Sequence, residues 1–498
     1  MEDWLAARAR SRPEGLALLS SAQARTFRQW DAEAALMAAR LRAVGVRTGQ
    51  RVPLLLPNGF AYACAIFALW RVGAVPVPLN LRLSASELAW QLGHLRASLL
   101  LVSAETYPLA REAAAGLHLL DIGDNVSLDV DSLSRYAPQE DPGPPRPFDP
   151  QADALWMFTS GTSGKPKAAR LSFNNLFTSA LASAYTLGLL PQDRWLCLLP
   201  FYHIGGLSLL TRCCLYGCTL EFFSKFDAEA VNAHLHAQPV TLVSLVPTQL
   251  WRMLEVRGQR QQPQALRLVL LGGAAASPDL MARAQTGGVR VATTYGLTEA
   301  ASQVATALPH QAVAKPSSVG KPLIFTHVSI ADEEGQPLPA GQHGEIVVRG
   351  PTVMQGYADD DIATARALRD GALHTGDMGY LDEDGDLFVL QRRSDLIVSG
   401  GENVYPSEVE AVLGQHPAVA EVIVVGAPDP EWGQVVCAAI VLRPDHNADA
   451  ADILAFSRQR LAGYKQPRRL RFVAELPRNP LGKILRSQVV DWFHQRHD

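Results

Sequence analysis

No two cysteines in this chain stand at C-x-x-C spacing, and no histidine group lies at zinc-ligand spacing beside any of the six: Cys64, Cys197, Cys213, Cys214, Cys218 and Cys437. That excludes a zinc ribbon and a thioredoxin-type redox centre, and leaves buried, reduced thiols as the expectation. An excess of positive charge is missing too. The 45 lysines and arginines are outnumbered by 49 acidic residues, the formal net charge is -4, and the arginines are scattered, so no nucleic-acid partner is expected. Long apolar runs are also absent. The most apolar, Ala61 to Trp70, is about half of a membrane span, and the N-terminal MEDWLAARARSRPE has no apolar h-region. Neither an integral membrane segment nor an export signal is expected, and without a disulfide pattern the expected compartment is the cytoplasm. Internal repeats and low-complexity tracts are lacking as well.

What is present suffices for more than one domain. A chain of 498 residues, 48% hydrophobic and 19% charged, can bury a large core, as an α/β enzyme does. Apolar residues recur at helical spacing from Trp30 to Val44, whereas Val52 to Leu56 and Leu99 to Val102 are short apolar runs suited to strands covered on both faces. The alternation continues through Arg194 to Leu199, Leu242 to Leu245 and Leu268 to Leu271, so a large doubly wound α/β body is expected. The proline-rich APQEDPGPPRPFDP, Ala137 to Pro150, reads as a surface crossing within that body, with an interdomain linker as the other reading. From Val328 to Arg392, alternating strands such as GEIVVRG are separated by turn signals at Glu334-Gly335 and Asp384-Gly385, the texture of an antiparallel β meander. Beyond Arg392 the order is strand, helix, two strands, helix, with a Gly-Gly turn at Gly400 and Gly401 and helices at Pro406 to Leu413 and Ala451 to Leu461. The expected domains are a body over 1–392 and a small α+β module over 393–498.

The sharpest local feature is TSGTSGKPKAA, Thr159 to Ala169, where hydroxylated residues and glycines follow an apolar segment and precede a helix expected near Ser172. Such a loop can offer backbone N–H groups, hydroxyls and lysine charge to a polyphosphate. It is not a Walker A loop, because Thr159 stands where the first glycine belongs and Pro166 follows Lys165 where Ser or Thr belongs. On its own the segment reads equally well as a flexible surface loop.

TSGTSGKPK resembles the signature of the adenylate-forming superfamily, which includes acyl-CoA synthetases, luciferases and peptide-synthetase adenylation domains. The other motifs of that superfamily follow in order. LGGAAAS, with Gly272, Gly273 and Ala274, resembles the turn against the adenine, and YGLTE supplies Tyr295, Thr298 and Glu299 for the purine face, the α-phosphate and Mg2+. TGD places Asp377 at the ribose hydroxyls with Arg392 as its partner, Asp395 falls at the hinge, and LPRNPLGKILR places Lys483 at the catalytic lysine. Departures are Ser163 for Thr, Ala168 for Gly, and Gln391 and Ser394 around Arg392. None removes a charge that the reaction needs.

The resemblance implies ATP in the loop Thr159, Ser160, Gly161, Thr162, Ser163, Gly164 and Lys165 with Mg2+ at Glu299, a carboxylic acid as substrate, and coenzyme A entering as the module rotates and brings Gly400 and Gly401 forward. His203, in LPFYHIGGLSLLTR, resembles the residue at the mouth of the acyl and pantetheine channels, with an unpaired core imidazole as the bland reading. Arg212, nine residues on, with Ser302 and Gln303 after YGLTE, suggests an acid with a second polar group. This pattern resembles the 2-succinylbenzoate:CoA ligases of menaquinone biosynthesis more than fatty-acid or coumarate ligases, and another aryl or medium-chain acid stays open. An adenylation domain is disfavoured because Phe201 to Arg212 holds no carboxylate for an amino group, and a dead-site scaffold because Lys483, Asp377 and Glu299 are all present. A luciferase shares every ATP motif. Oligomeric state is left open, a homo-oligomer included.

Overall fold

The structure is a computed structural model that describes residues 1–114, 116–123, 131–133, 136, 147–159, 166–190, 192–223, 225–258, 260–391, 396–444, 446–477 and 484–494. Most of the proline-rich crossing, 137–146, lies outside the described residues. The apolar runs form strands where their pattern predicts them, at Arg51–Leu55, Leu99–Val102, Arg194–Cys197, Leu242–Leu245 and Leu268–Leu271. The helix Phe27–Val44 begins three residues before Trp30 because Thr26 and Gln29 form a capping box.

The doubly wound body contains two parallel sheets. In the larger, six parallel strands run in the order Val291–Leu297, Leu268–Leu271, Leu242–Leu245, Arg194–Cys197, Thr219–Phe222, Leu16–Leu19, with antiparallel strands at both edges. The smaller is parallel throughout, in the order Val75–Pro78, Arg51–Leu55, Leu99–Val102, His118–Asp121, Asp131–Ser132. One apolar cluster joins them, with Val52, Leu54 and Leu101 from the smaller sheet beside Leu220, Leu242 and Leu268 from the larger. The run Ala61 to Trp70 lies within the buried helix Phe60–Val72, and no helix among the described residues is long and apolar enough to cross a membrane. All six cysteines are free and buried.

The expected meander is present as five strands from His327–Ala331 to Leu387–Gln391. Gly335 and Gly385 take left-handed φ values of 83° and 81° in its turns, a conformation glycine adopts without a Cβ clash. Within that stretch Gly356–Tyr357 leaves the meander and pairs with Lys167–Ser172, beside Asp153–Thr159. After it, Ile397–Ser399, Glu402–Val404, Val419–Asp429, Gly433–Leu442 and Arg469–Phe472 build a separate sheet with helices Pro406–Leu413 and Ala450–Arg458. The hairpin at its start, the strand Arg469–Phe472 and the last helix Arg486–His494 are additions to the elements read from sequence.

Candidate active site

The carboxyl end of the larger sheet gathers segments far apart in sequence. Strand Val291–Leu297 carries Tyr295, 3% exposed, whose hydroxyl donates to Asp377 Oδ2 at 2.7 Å from strand Ala372–Leu381. Asp377 is held from its own side, because its N–H donates to Thr375 Oγ1 at 3.1 Å and that hydroxyl donates to Ile346 O at 2.7 Å. The chain then enters the short 3-10 turn Thr298–Ala300, where Glu299 Oε1 accepts from Thr159 Oγ1 at 3.3 Å and from Tyr357 Oη at 2.9 Å. The first residue of the TSGTSGKPK loop is thereby placed on the YGLTE carboxylate.

Two consecutive non-glycine residues follow with positive φ, Ala301 at 51° and Ser302 at 106°. Strain of this kind persists only where the surroundings enforce it. Gly296 opposite has no room for a side chain: a Cβ there would sit 1.9 Å from Ser302 O. Ser302 Oγ accepts from Ser208 Oγ at 3.4 Å, and Ser179 Oγ donates to Ala301 O at 2.7 Å. Behind that turn lies Arg212, 1% exposed, with one nitrogen donating to Ser179 Oγ at 3.1 Å and its Nε without a partner among the described residues. Burial pulls the guanidinium's pKa down against smaller raising effects of Tyr216 and Cys213, and no carboxylate among the described residues faces it. Gln303 points to the other face of its strand, donating to Thr306 Oγ1 at 3.0 Å and Thr294 Oγ1 at 3.4 Å.

Gly272 and Gly273 turn off the end of strand Leu268–Leu271, and a Cβ on Gly272 would meet Thr294 Cγ2 at 2.8 Å. Val246 stands between this turn and the C-terminal sheet, since Cβ atoms on Gly273 and on Gly401 would each lie 3.1 Å from its Cγ1. The loop with Gly400 and Gly401, at φ 60° and 85°, thus abuts the site and delivers Glu402 to His203. His203 Nε2 lies 3.0 Å from Glu402 Oε2, Arg82 donates to Oε1 at 3.1 Å and Asn80 to Oε2 at 3.3 Å. Burial works to raise the Glu402 pKa, but His203 and Arg82 outweigh it and hold the carboxyl at about 2.

Ser160 to Lys165, Arg392, Asp395 and Lys483 lie outside the described residues. Tyr357, Ser179, Ser208, Asn80 and Arg82 were not singled out from sequence. A signal existed for the last two, which directly follow the apolar strand Val75–Pro78 at its carboxyl end, where parallel sheets bind ligands. One acidic cluster among the described residues has metal-ligand spacing, Asp382, Asp384 and Asp386. Lys315 Nζ already lies among its oxygens at 2.6, 2.6 and 2.8 Å, a cation tie between two loops.

The AMP-binding enzyme family matches residues 5–358, and the AMP-binding enzyme C-terminal domain matches residues 408–483. A 2-succinylbenzoate–CoA ligase of Geobacillus kaustophilus is 42% identical over 489 residues, 98% of this chain and 97% of that protein. A double mutant of o-succinylbenzoate CoA synthetase from Bacillus subtilis, bound with its product analogue OSB-NCoA, superposes with TM-score 0.92 at 38% identity, covering 99% of this chain and 98% of that one. The Bacillus subtilis synthetase in complex with the acyl-adenylate intermediate OSB-AMP gives TM-score 0.75 at 38% identity, covering 98% of each chain.

Proposed function

This chain belongs to the AMP-binding enzyme family, and on that premise we propose that it is an ATP-dependent acid:CoA ligase converting 2-succinylbenzoate, ATP and CoA to 2-succinylbenzoyl-CoA, AMP and pyrophosphate. The observation that carries the reading is the meeting of Thr159, Glu299, Tyr295 and Asp377 at the carboxyl end of the larger sheet, with the C-terminal module docked on His203 beside it. The 2-succinylbenzoate ligase relatives, matched over nearly the whole chain, support the acid.

In the first half-reaction the acid's carboxylate attacks the α-phosphorus of ATP and pyrophosphate leaves; in the second the CoA sulfur attacks the acyl carbonyl and AMP leaves. Asp377 accepts the ribose hydroxyls with Arg392, Gly272 to Ala274 and Tyr295 bound the adenine, and Thr298 and the loop through Lys165 hold the phosphates. Glu299 suits Mg2+, because Thr159 and Tyr357 fix its Oε1 while Oε2 has no hydrogen bond among the described residues, and one carboxylate plus phosphate oxygens is ordinary for this ion. When bound, the ion offsets phosphate charge as the two anions meet.

Arg212 lies one helical turn beyond Ser208 on helix Ile204–Tyr216, behind the Ser302 turn. An unpaired cation so deeply buried costs free energy unless an anion arrives, and the acid's second carboxylate meets that need from the Ser302 side. Lys483, on the module beyond a hinge at Asp395, serves adenylation; the Gly400 to Glu402 loop replaces it for thioester formation. The body over 1–392, the mobile module over 393–498 and a cytoplasmic location belong to this proposal.

A panel of carboxylic acids assayed for CoA-dependent AMP formation tests it. Highest kcat/KM with 2-succinylbenzoate is expected. Higher values with a monocarboxylic aryl or medium-chain acid would move the reading to that substrate, and no AMP formation with any acid would sink it.

A further inference from the structure

Besides His203, the C-terminal module meets the body at a second place, and there a buried cation makes the contact. Lys465, 3% exposed, ends the turn Gly463–Lys465. Its Nζ donates to Glu408 Oε1 of its own module at 2.6 Å and to Glu87 Oε1 of the body at 2.6 Å. Glu87 is aimed by local sequence: it closes the capping box of helix Ala85–His94, its Oε2 accepting from Ser84 N at 2.7 Å, which leaves Oε1 for the lysine.

The surroundings make a shaped socket. Ala462 and Tyr464 pack into the body's apolar cluster with Leu79, Leu83 and Leu88. The Ser84 and Ser86 hydroxyls donate to Arg460 O at 3.2 and 3.3 Å. Arg82, which holds Glu402, also lies over the Tyr464 ring at 5.2 Å, so one corner, Asn80 to Glu87, receives both contacts. Burial lowers the Lys465 pKa, but Glu408 and Glu87 outweigh it and raise it. Glu408 is raised by burial and by Glu87 despite Lys465. Without the lysine, two carboxylates would face each other across the boundary.

We propose that Lys465 is a positioning residue for the thioester half-reaction: by pairing with Glu87 across the boundary it holds the module where Glu402 reaches His203. This rests on the acid:CoA ligase reading above. The Lys465–Glu408 bond lies within the module, whereas the Lys465–Glu87 bond crosses the boundary and so depends on docking.

The test is a double-mutant cycle across the boundary with Lys465→Met, Glu87→Gln and the pair together. Glu87→Gln retains the helix cap and removes the charge. Each protein is assayed for pyrophosphate release from ATP and 2-succinylbenzoate, and for thioester formation from presynthesised 2-succinylbenzoyl-AMP and CoA. Lys465→Met is expected to lose about tenfold or more in kcat for thioester formation, because the Glu87 and Glu408 carboxylates then face each other across the boundary without a cation, while pyrophosphate release stays within about twofold. The double mutant is expected to regain most of that loss. Equal impairment of Lys465→Met and the double mutant would confine the role to the module and overturn the proposal, as would equal loss in both half-reactions. Fluorescence transfer between dyes on Glu229→Cys and Ala451→Cys reads docking without chemistry: Lys465→Met should shift it and Glu87→Gln in the same chain should restore it. If wild type makes no thioester, the ligase reading falls, and the transfer measurement alone decides the pairing, an unshifted value in Lys465→Met overturning it.

Discussion

Asp377 accepts the Tyr295 hydroxyl at 2.7 Å and is 7% exposed, so replacing it changes both a binding group and a buried hydrogen bond. Asp377→Ala is expected to raise the KM for ATP by about tenfold or more and to cost about 1–3 kcal/mol of stability, because the tyrosine hydroxyl loses its acceptor. Steady-state kinetics with thermal melting checks both, and an unchanged KM for ATP would remove Asp377 from the nucleotide site. Arg212 leads to the opposite stability effect. Fully buried and facing no carboxylate among the described residues, it gives up desolvation cost when replaced, so Arg212→Leu should leave the melting temperature unchanged or higher while raising the KM for 2-succinylbenzoate about tenfold and sparing that for ATP. A lowered melting temperature with both KM values raised would mark Arg212 as structural. Arg212 was visible in sequence as a cation nine residues after His203 in an otherwise apolar stretch. Its burial behind the Ala301–Ser302 turn was not, because Ser179, which links it to that turn, is 33 residues away.

At the scale of elements, the loop between Ile397–Ser399 and Glu402–Val404 acts as a latch on the body. Glu402 has its carboxyl at about 2 against an ordinary 4.5. A carboxyl lowered on docking stabilises the docked state fully above pH 4.5 and loses that contribution as pH falls toward 2, on the order of 3 kcal/mol in all. Glu402→Gln should therefore slow thioester formation by about tenfold or more at neutral pH, spare pyrophosphate release, and abolish the acid limb of the docking equilibrium followed by fluorescence transfer. An acid limb that persists in Glu402→Gln would show that another group controls it. The glycines of this loop were legible as a turn, since Gly400 and Gly401 both need positive φ. The partner was not, because His203 and Glu402 are 199 residues apart and only packing makes them neighbours.

For the whole molecule, the proposed reaction puts Lys483 and the Gly400 to Glu402 loop in one module but in different half-reactions. On that proposal Lys483→Ala removes one preorganised cation from the adenylation transition state, which should slow pyrophosphate release by about a hundredfold or more, roughly 3 kcal/mol, while presynthesised acyl-adenylate and CoA still give thioester. Equal loss in both assays by a folded mutant would count against module rotation. The sequence by itself determined the α/β class, the strands and helices with a clear apolar period, and the order of the nucleotide motifs. Those depend on local period, capping and turn chemistry, which neighbouring residues settle among themselves. Only the tertiary structure decided that the body holds two parallel sheets, that strand Leu16–Leu19 pairs with the distant Thr219–Phe222, that Tyr357 closes on Glu299, and that Lys465 meets Glu87. Each joins segments whose sequences carry no mark of one another, chosen by which arrangement buries the apolar faces and gives the polar groups buried with them a partner.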